Sequence, residues 1–231
     1  MYKNKTLFFD NRWHVSNSKN IFKYKNFKKS KISVVNPLDK EITSLINSSS
    51  IFQELWKKKS NIEKFKILKL IANQIKKNQK ILAKEEMFDT GKSYNQAISE
   101  IKYCYKLWLH ASETIQKIKE KKIFINKKTF CKISYEPIGV TAVIVPWNFP
   151  FIVLSERLPY ILASGCVGII KPSEYASGTL IKFVDLVMKI GKVPKGLINL
   201  ITGGSEIGSK ITTNKKVKCI SFTGSSFTGR K

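Results

Sequence analysis

From Val140 onward the chain reads as an α/β protein built on a doubly wound parallel sheet, and three observations predict it. Val140 to Val145 is uncharged and largely β-branched, the composition of a strand buried on both faces. Short apolar runs then alternate with amphipathic stretches over Phe151 to Ser164, Cys166 to Ile170, Ala176 to Ile190, Leu197 to Ile201, Glu206 to Thr212 and Val217 to Phe222. Turn residues follow each apolar run, so the polar and glycine-rich motifs fall at strand ends along one edge. In open α/β sheets that edge is where ligands bind.

Each element has its own warrant. Met1 to Val35 carries Trp13 among short apolar clusters and lysines, consistent with short strands or extended chain wrapping a body elsewhere, and Asn36-Pro37 is a turn. Ser60 followed three residues later by Glu63 has the form of a capping box. Ile62, Phe65, Leu68, Ala72, Ile75 and Leu82 then recur at helical spacing, and Gly91 closes that helix. A second helix presents Ile98, Ile101, Tyr105, Trp108, Ile115 and Ile118 on one face, and its Trp and Tyr read as core. Ile123 to Glu136 alternates around Asn126-Lys127-Lys128, the pattern of a hairpin. Residues 1–136 and 137–231 are the two expected domains.

The stretch Pro137 to Pro150, P-I-G-V-T-A-V-I-V-P-W-N-F-P, organises the site. Pro146 cannot join a sheet ladder and Pro150 suits the first turn of a helix, so Trp147 and Asn148 lie on a strand-to-helix turn. Two readings stand for Asn148: an amide NH2 aimed at an oxygen that becomes negative in a transition state, or a polar residue bonding its own turn. Lys171-Pro172-Ser173-Glu174 follows the second strand; its ammonium and carboxylate suit the two hydroxyls of a ribose, and equally a surface ion pair. Gly203-Gly204-Ser205-Glu206-Ile207-Gly208 lies between the third strand and a helix, where glycines let backbone approach a phosphate. Phe222-Thr223-Gly224-Ser225 ends the fourth strand, and Ser225 is a helix cap or, with free amides beside it, part of an anion site.

These motifs, with L-P-Y-I-L-A-S-G-C before K-P-S-E and G-L-I-N-L-I-T-G-G-S-E-I-G before I-S-F-T-G-S, resemble the aldehyde dehydrogenase superfamily in order and spacing, densely from about Tyr135 and more thinly before it. The resemblance implies a Rossmann-like sheet preceded by helices and an oligomerisation hairpin, a truncated form of the family's fold without its catalytic domain. It implies that Lys171 and Glu174 hold the adenosine ribose, and that Ile144, Val145, Pro146, Trp147, Ser173, Gly204, Gly224 and Ser225 line the dinucleotide, with Trp147 and Ser225 at the pyrophosphate. Asn148 matches the oxyanion donor. NAD is expected rather than NADP, because Glu174 beside the ribose disfavours an extra phosphate. The helix after Pro150 is similar to members acting on betaine aldehyde.

Two departures from the family pattern stand out. Ser205 occupies the place of the second glycine in the usual G-x-G-x-x-G, and Leu38 to Leu55 is shorter than the segment that carries an extra helix in the family. The family's thiol nucleophile and its general base, a glutamate in E-L-G-G-K, have no counterpart in these 231 residues, so the chain alone is expected to be inactive. Expected partners are an aldehyde in the intact enzyme and further copies or a complementary C-terminal chain; the other readings are a truncated remnant, or a basic nucleic-acid binder reusing the fold.

Composition narrows those readings. The net charge of +26 invites nucleic acid, yet the excess is lysine with only Arg12, Arg157 and Arg230, whereas base readout and stacking favour arginine and exposed aromatics. Cys104, Cys131, Cys166 and Cys219 form no C-x-x-C pair and only His14 and His110 are available beside them, which argues against a metal site and a disulfide framework. No secretory signal follows Met1, and the apolar run near Val140 to Leu154 is interrupted by Pro146, Asn148 and Pro150, so a cytoplasmic protein without a membrane span is expected.

Overall fold

A computed structural model describes residues 5–25, 27, 31–118 and 120–230. The parallel strands are β7 (Val140–Ile144), β8 (Gly168–Lys171), β9 (Ile198–Ile201) and β10 (Val217–Phe222). Two N-terminal strands, β1 (Leu7–Phe9) and β2 (Arg12–His14), extend the same sheet, giving the order β10-β7-β8-β9-β1-β2. The sheet is therefore mixed rather than purely parallel: β1 lies antiparallel to β9, Leu7 opposite Ile201, and β2 antiparallel to β1. All three residues of β1 are buried, which the short apolar cluster Leu7-Phe8-Phe9 makes possible. Two further hairpins are separate: β3 (Ile21–Lys25) with β4 (Lys31–Val35), and β5 (Lys121–Phe124) with β6 (Phe130–Ile133).

Connectivity fixes where the helices lie. From β7 the chain crosses to β8 through α5 (Pro150–Ser155) and α6 (Leu158–Ala163), and from β8 to β9 through α7 (Gly178–Met188), always moving the same way across the sheet. From β9 it returns through α8 (Ser205–Thr212) to β10 on the far side of β7. Right-handed crossovers therefore put α8 on the face opposite α5, α6 and α7, and open a crevice between the carboxyl ends of β7 and β10. Helix α1 (Asp39–Trp56) is joined to α8 by Lys210 to Asp39 at 2.5 Å and to the turn before β10 by Lys216 to Asn47 at 2.7 Å. The other face is covered by α2 (Asn61–Lys77), α3 (Gln79–Thr90) and α4 (Tyr94–Thr114), packed against α5, α6 and α7. One core runs through both halves, with Trp108 of α4 beside Phe183 of α7 at 5.5 Å between ring centres.

The segment between Asn36 and Trp56 holds a helix, the 18-residue α1, whose buried Ile42, Leu45 and Ile46 pack under the sheet. Two expectations are corrected. The single helix expected from Ile62 to Gly91 is two, broken at Asn78, whose own side chain donates to the Gln74 carbonyl at 2.8 Å. The helix expected over Phe151 to Ser164 is also two, because Pro159 has no N–H to give the preceding turn. The capping box at Ser60 forms as expected: Ser60 accepts from the Glu63 amide at 3.2 Å while Glu63 accepts from the Ser60 amide at 2.9 Å. Gly91 ends α3 in the left-handed region, with φ of 75°. Among the described residues no helix is long and apolar enough to cross a membrane.

Candidate functional site

The expected site residues lie at strand ends and the turns that follow them. β7 ends beside β8 and β10 at once: the Val145 amide donates to the Lys171 carbonyl at 3.2 Å, and the Thr223 amide to the Ile144 carbonyl at 3.1 Å. The chain leaving β7 thus starts level with the K-P-S-E turn on one side and the F-T-G-S turn on the other. Val145 is buried, Ile144 and Pro146 half-buried, and Trp147 is 56% exposed.

Lys171 is the last residue of β8 rather than the first beyond it, and only 4% of it is exposed. Its Nζ donates to the Pro172 carbonyl at 3.1 Å and stands 3.7 Å from Glu174 Oε2. Burial pulls the Lys171 pKa down, and the Glu174 carboxylate opposes that pull. Across from this pair is the start of α8. A side chain at Gly204 would come within 3.9 Å of Glu174 Oε1, and one at Gly208 within 4.0 Å of both Ile144 and the Lys171 stem. Glycine at both positions leaves a shallow space bounded by an ammonium, a carboxylate and the first amides of a helix that has no side-chain cap. The donors and acceptors present fit a ribose diol there.

Sequence reasoning missed Asn36. Its side-chain oxygen accepts the Gly204 amide at 2.8 Å and would lie 2.9 Å from a Cβ at Gly203, whose φ of 134° already requires glycine. Asn36 fixes the glycine turn from 168 positions away, a separation that no local pattern records.

The other predicted residues hold turns. Ser173 Oγ accepts from the Tyr175 amide at 3.3 Å, and its carbonyl accepts the Ser177 hydroxyl at 2.8 Å. Asn148 Oδ1 accepts from the Phe149 amide at 3.1 Å, so the oxygen serves the turn and the NH2 end remains the group with oxyanion chemistry. Ser225 caps α9 (Ser226–Gly229), accepting from the Thr228 amide at 3.2 Å. A Cβ at Gly224 would meet the Phe222 ring at 2.5 Å, so the ring's position explains that glycine.

A second feature without a sequence signal lies behind the Asn148 turn. Lys92 Nζ stands 4.4 Å from the centre of the Phe149 ring and is anchored by Glu100 at 2.5 Å and Glu86 at 3.5 Å. Glu86 is fully buried, and its Oε2 has no hydrogen-bond partner. Burial pushes the Glu86 carboxyl up to about 7, against the opposing pull of Lys92. Asp89, also buried, is raised to about 7 for the same reason, although it accepts the Thr179 amide at 2.8 Å.

The model of the aldehyde dehydrogenase family matches residues 13–231. The chain is 35% identical over 181 residues to the peroxisomal aminoaldehyde dehydrogenase 1 of Pisum sativum, covering 76% of this chain and 36% of that protein. It is 29% identical over 247 residues to the chloroplastic betaine aldehyde dehydrogenase of Amaranthus hypochondriacus, covering 97% of this chain and 47% of that one. Betaine aldehyde dehydrogenase from Staphylococcus aureus, solved in complex with NAD+, matches the fold with a TM-score of 0.91 at 28% identity, over 98% of this chain and 46% of that chain. The chain spans about half the length of such relatives, or less. With the family model matched along nearly its whole length, the chain belongs to the aldehyde dehydrogenase family.

Proposed function

We propose that this chain is the N-terminal, cofactor-binding portion of an NAD-dependent aldehyde dehydrogenase, an enzyme that oxidises an aldehyde to a carboxylate. Residues 1–136 supply strands, helices and the projecting hairpin, and residues 137–231 supply part of the dinucleotide-binding unit. The observation that carries this reading is the meeting of Lys171, Glu174, Gly204 and Gly208 at the carboxyl edge of the sheet. Lys171 and Glu174 are assigned to the ribose hydroxyls, the ammonium donating and the carboxylate accepting. Ile144, Val145, Pro146 and Ser173 shape the floor and rim of that space. Trp147, Gly204, Gly224 and Ser225 are assigned to the pyrophosphate, and Asn148 to the substrate oxygen. The bound nicotinamide would supply the hydride acceptor. The Staphylococcus aureus relative solved with NAD+ supports the nicotinamide cofactor, and relatives named for betaine aldehyde and aminoaldehydes favour a substrate of that kind.

The nucleophile and general base are assigned to a segment outside residues 1–231, in the same or a complementary polypeptide. The placement of the cysteines supports this. Cys104 is buried in α4 with its thiol pushed up by burial, Cys166 is buried ahead of β8, and Cys219 pairs with Thr141, three residues before β7 ends. Cys131 is on the exposed hairpin. The chain by itself is therefore expected to bind dinucleotide without turning it over. A cytoplasmic setting is part of the same proposal.

Calorimetric titration of the purified chain tests the assignment. NAD should bind saturably, and Lys171→Ala and Glu174→Ala should each weaken it about tenfold, the scale of one lost charged hydrogen bond. NADP should bind more weakly than NAD to the wild type, with the gap closing in Glu174→Ala. Equal affinity in wild type and both variants would remove the ribose assignment.

The hairpin supports association with further copies. Every residue of β5 and β6 is exposed, including Phe124 at 71% and Phe130 at 50%, and a lone two-stranded hairpin is marginal in water. Phe124→Asp should shift the sedimentation coefficient toward the monomer at unchanged circular dichroism; an unchanged coefficient counts against the hairpin as the interface.

A further inference from the structure

We propose that Lys92 is a positioning residue for the Trp147-Asn148 turn, holding it through the face of the Phe149 ring. The inference rests on the functional reading above and concerns the same site. It starts from three observations. The Lys92 side chain is only 7% exposed, although lysine is among the residues least often buried without a reason. Its ammonium does not end at its carboxylate partners: Glu100 at 2.5 Å and Glu86 at 3.5 Å hold one side, and the Phe149 ring centre lies 4.4 Å away. Phe149 directly follows Asn148, gives its amide to the Asn148 side chain, and precedes the first residue of α5.

A cation held over a ring in a site screened from water is attracted by the ring's quadrupole more strongly than at an open surface. Here the cation is fixed by the Glu100 carboxylate of α4, with Glu86 of α3 beside it, and neither helix belongs to the nucleotide-binding sheet. Lys92 therefore couples the helical layer to one turn at the carboxyl edge of β7. Without it, Phe149 keeps its covalent place, but the turn loses the contact that sets the direction of Asn148. Charge is the essential property, since a side chain of equal length without it would fill the space and leave the ring unheld.

The test uses the 231-residue chain with Lys92→Met, Lys92→Arg and Phe149→Leu, and two ligands. AMP reports on the ribose space and one phosphate, while NAD adds the second phosphate and the nicotinamide half, whose place rests on the direction of the Trp147-Asn148 turn. Lys92→Met should weaken NAD about tenfold and AMP less than twofold, and Lys92→Arg should restore the ratio. In a Phe149→Leu background, Lys92→Met should have no further effect on NAD, because the partner ring is gone. A ligand-free arm follows amide hydrogen exchange: Lys92→Met should speed exchange at Phe149 and Val153 while β8 and α7 keep their protection. Equal losses for AMP and NAD, or loss of protection across the sheet, would make Lys92 a general structural residue and overturn the proposal. So would an effect of Lys92→Met that persists in full without the Phe149 ring. If the wild-type chain binds neither ligand, the functional reading fails on its own, and the exchange arm still decides whether Lys92 holds the turn.

Discussion

Replacing Gln53 with leucine should lower the unfolding free energy by about 4 kcal/mol, from a side chain that makes no contact with the proposed ligand site. Gln53 is 5% exposed and satisfies two backbone groups at once. Its Oε1 accepts the Val167 amide at 2.8 Å and its Nε2 donates to the Gly165 carbonyl at 2.9 Å. Leucine fills nearly the same volume and leaves both groups buried and unpaired, each at a cost of about 1–3 kcal/mol. Trp56, one turn further along α1, donates its indole N–H to the Leu162 carbonyl at 3.0 Å and keeps the helix in place, so the backbone groups cannot simply turn to water. Urea denaturation of wild type and Gln53→Leu measures the loss. A difference below about 1 kcal/mol would mean that the turn before β8 finds other partners, within the scatter of ordinary surface substitutions.

The second large effect depends on pH. Glu86 has its carboxyl raised from 4.5 to about 7 in the folded protein. Between these values the folded state holds a proton that the unfolded state has released, so the contribution of Glu86 to stability is complete below about 4.5 and disappears as pH rises through 7. The shift corresponds to about 3 kcal/mol. Asp89 acts in the same direction, raised to about 7, with Glu85, Glu86 and Lys92 among the charges around the pair. Glu86→Gln keeps the shape and cannot ionise. It should match the wild type near pH 4 and exceed it by about 3 kcal/mol at pH 8.5, read from urea denaturation at both pH values. An advantage that stays constant across this range would show that Glu86 does not titrate where its burial implies.

The parts of the fold that were legible in the sequence are those fixed by neighbours along the chain. β10 was expected over Val217 to Phe222 and spans those residues, and the Ser60 capping box and the hairpin around Asn126 formed where their local chemistry put them. The helix breaks at Asn78 and before Pro159 were hidden because the apolar spacing continues across them. Helix α1 does leave a local mark, since its buried Ile42, Leu45, Ile46, Ser49, Gln53 and Trp56 recur at helical spacing. What the sequence hides is its partners, the turn before β8 for Gln53 and Leu162 of α6 for Trp56, each more than a hundred positions away. The ion pair of Lys171 and Glu174 could be read because one turn holds both. Asn36 and Lys92 could not, since each reaches a motif in another part of the chain.

The place of β1 in the sheet also bears on the order of assembly. The three strands β7, β8 and β9 are joined by short crossovers, so each can pair with the one made just before it. β1 pairs locally with β2 on one edge, but its other edge pairs with β9, and the Thr202 hydroxyl that donates to the Thr6 carbonyl is 196 positions away. Pairing along this edge of β1 therefore waits until the chain has been made as far as Ile201, and until then Leu7 and Phe8 have only local neighbours, β2 and α1, to cover them. A fusion placed just ahead of these residues would act on the closing step of folding, not on the initial collapse.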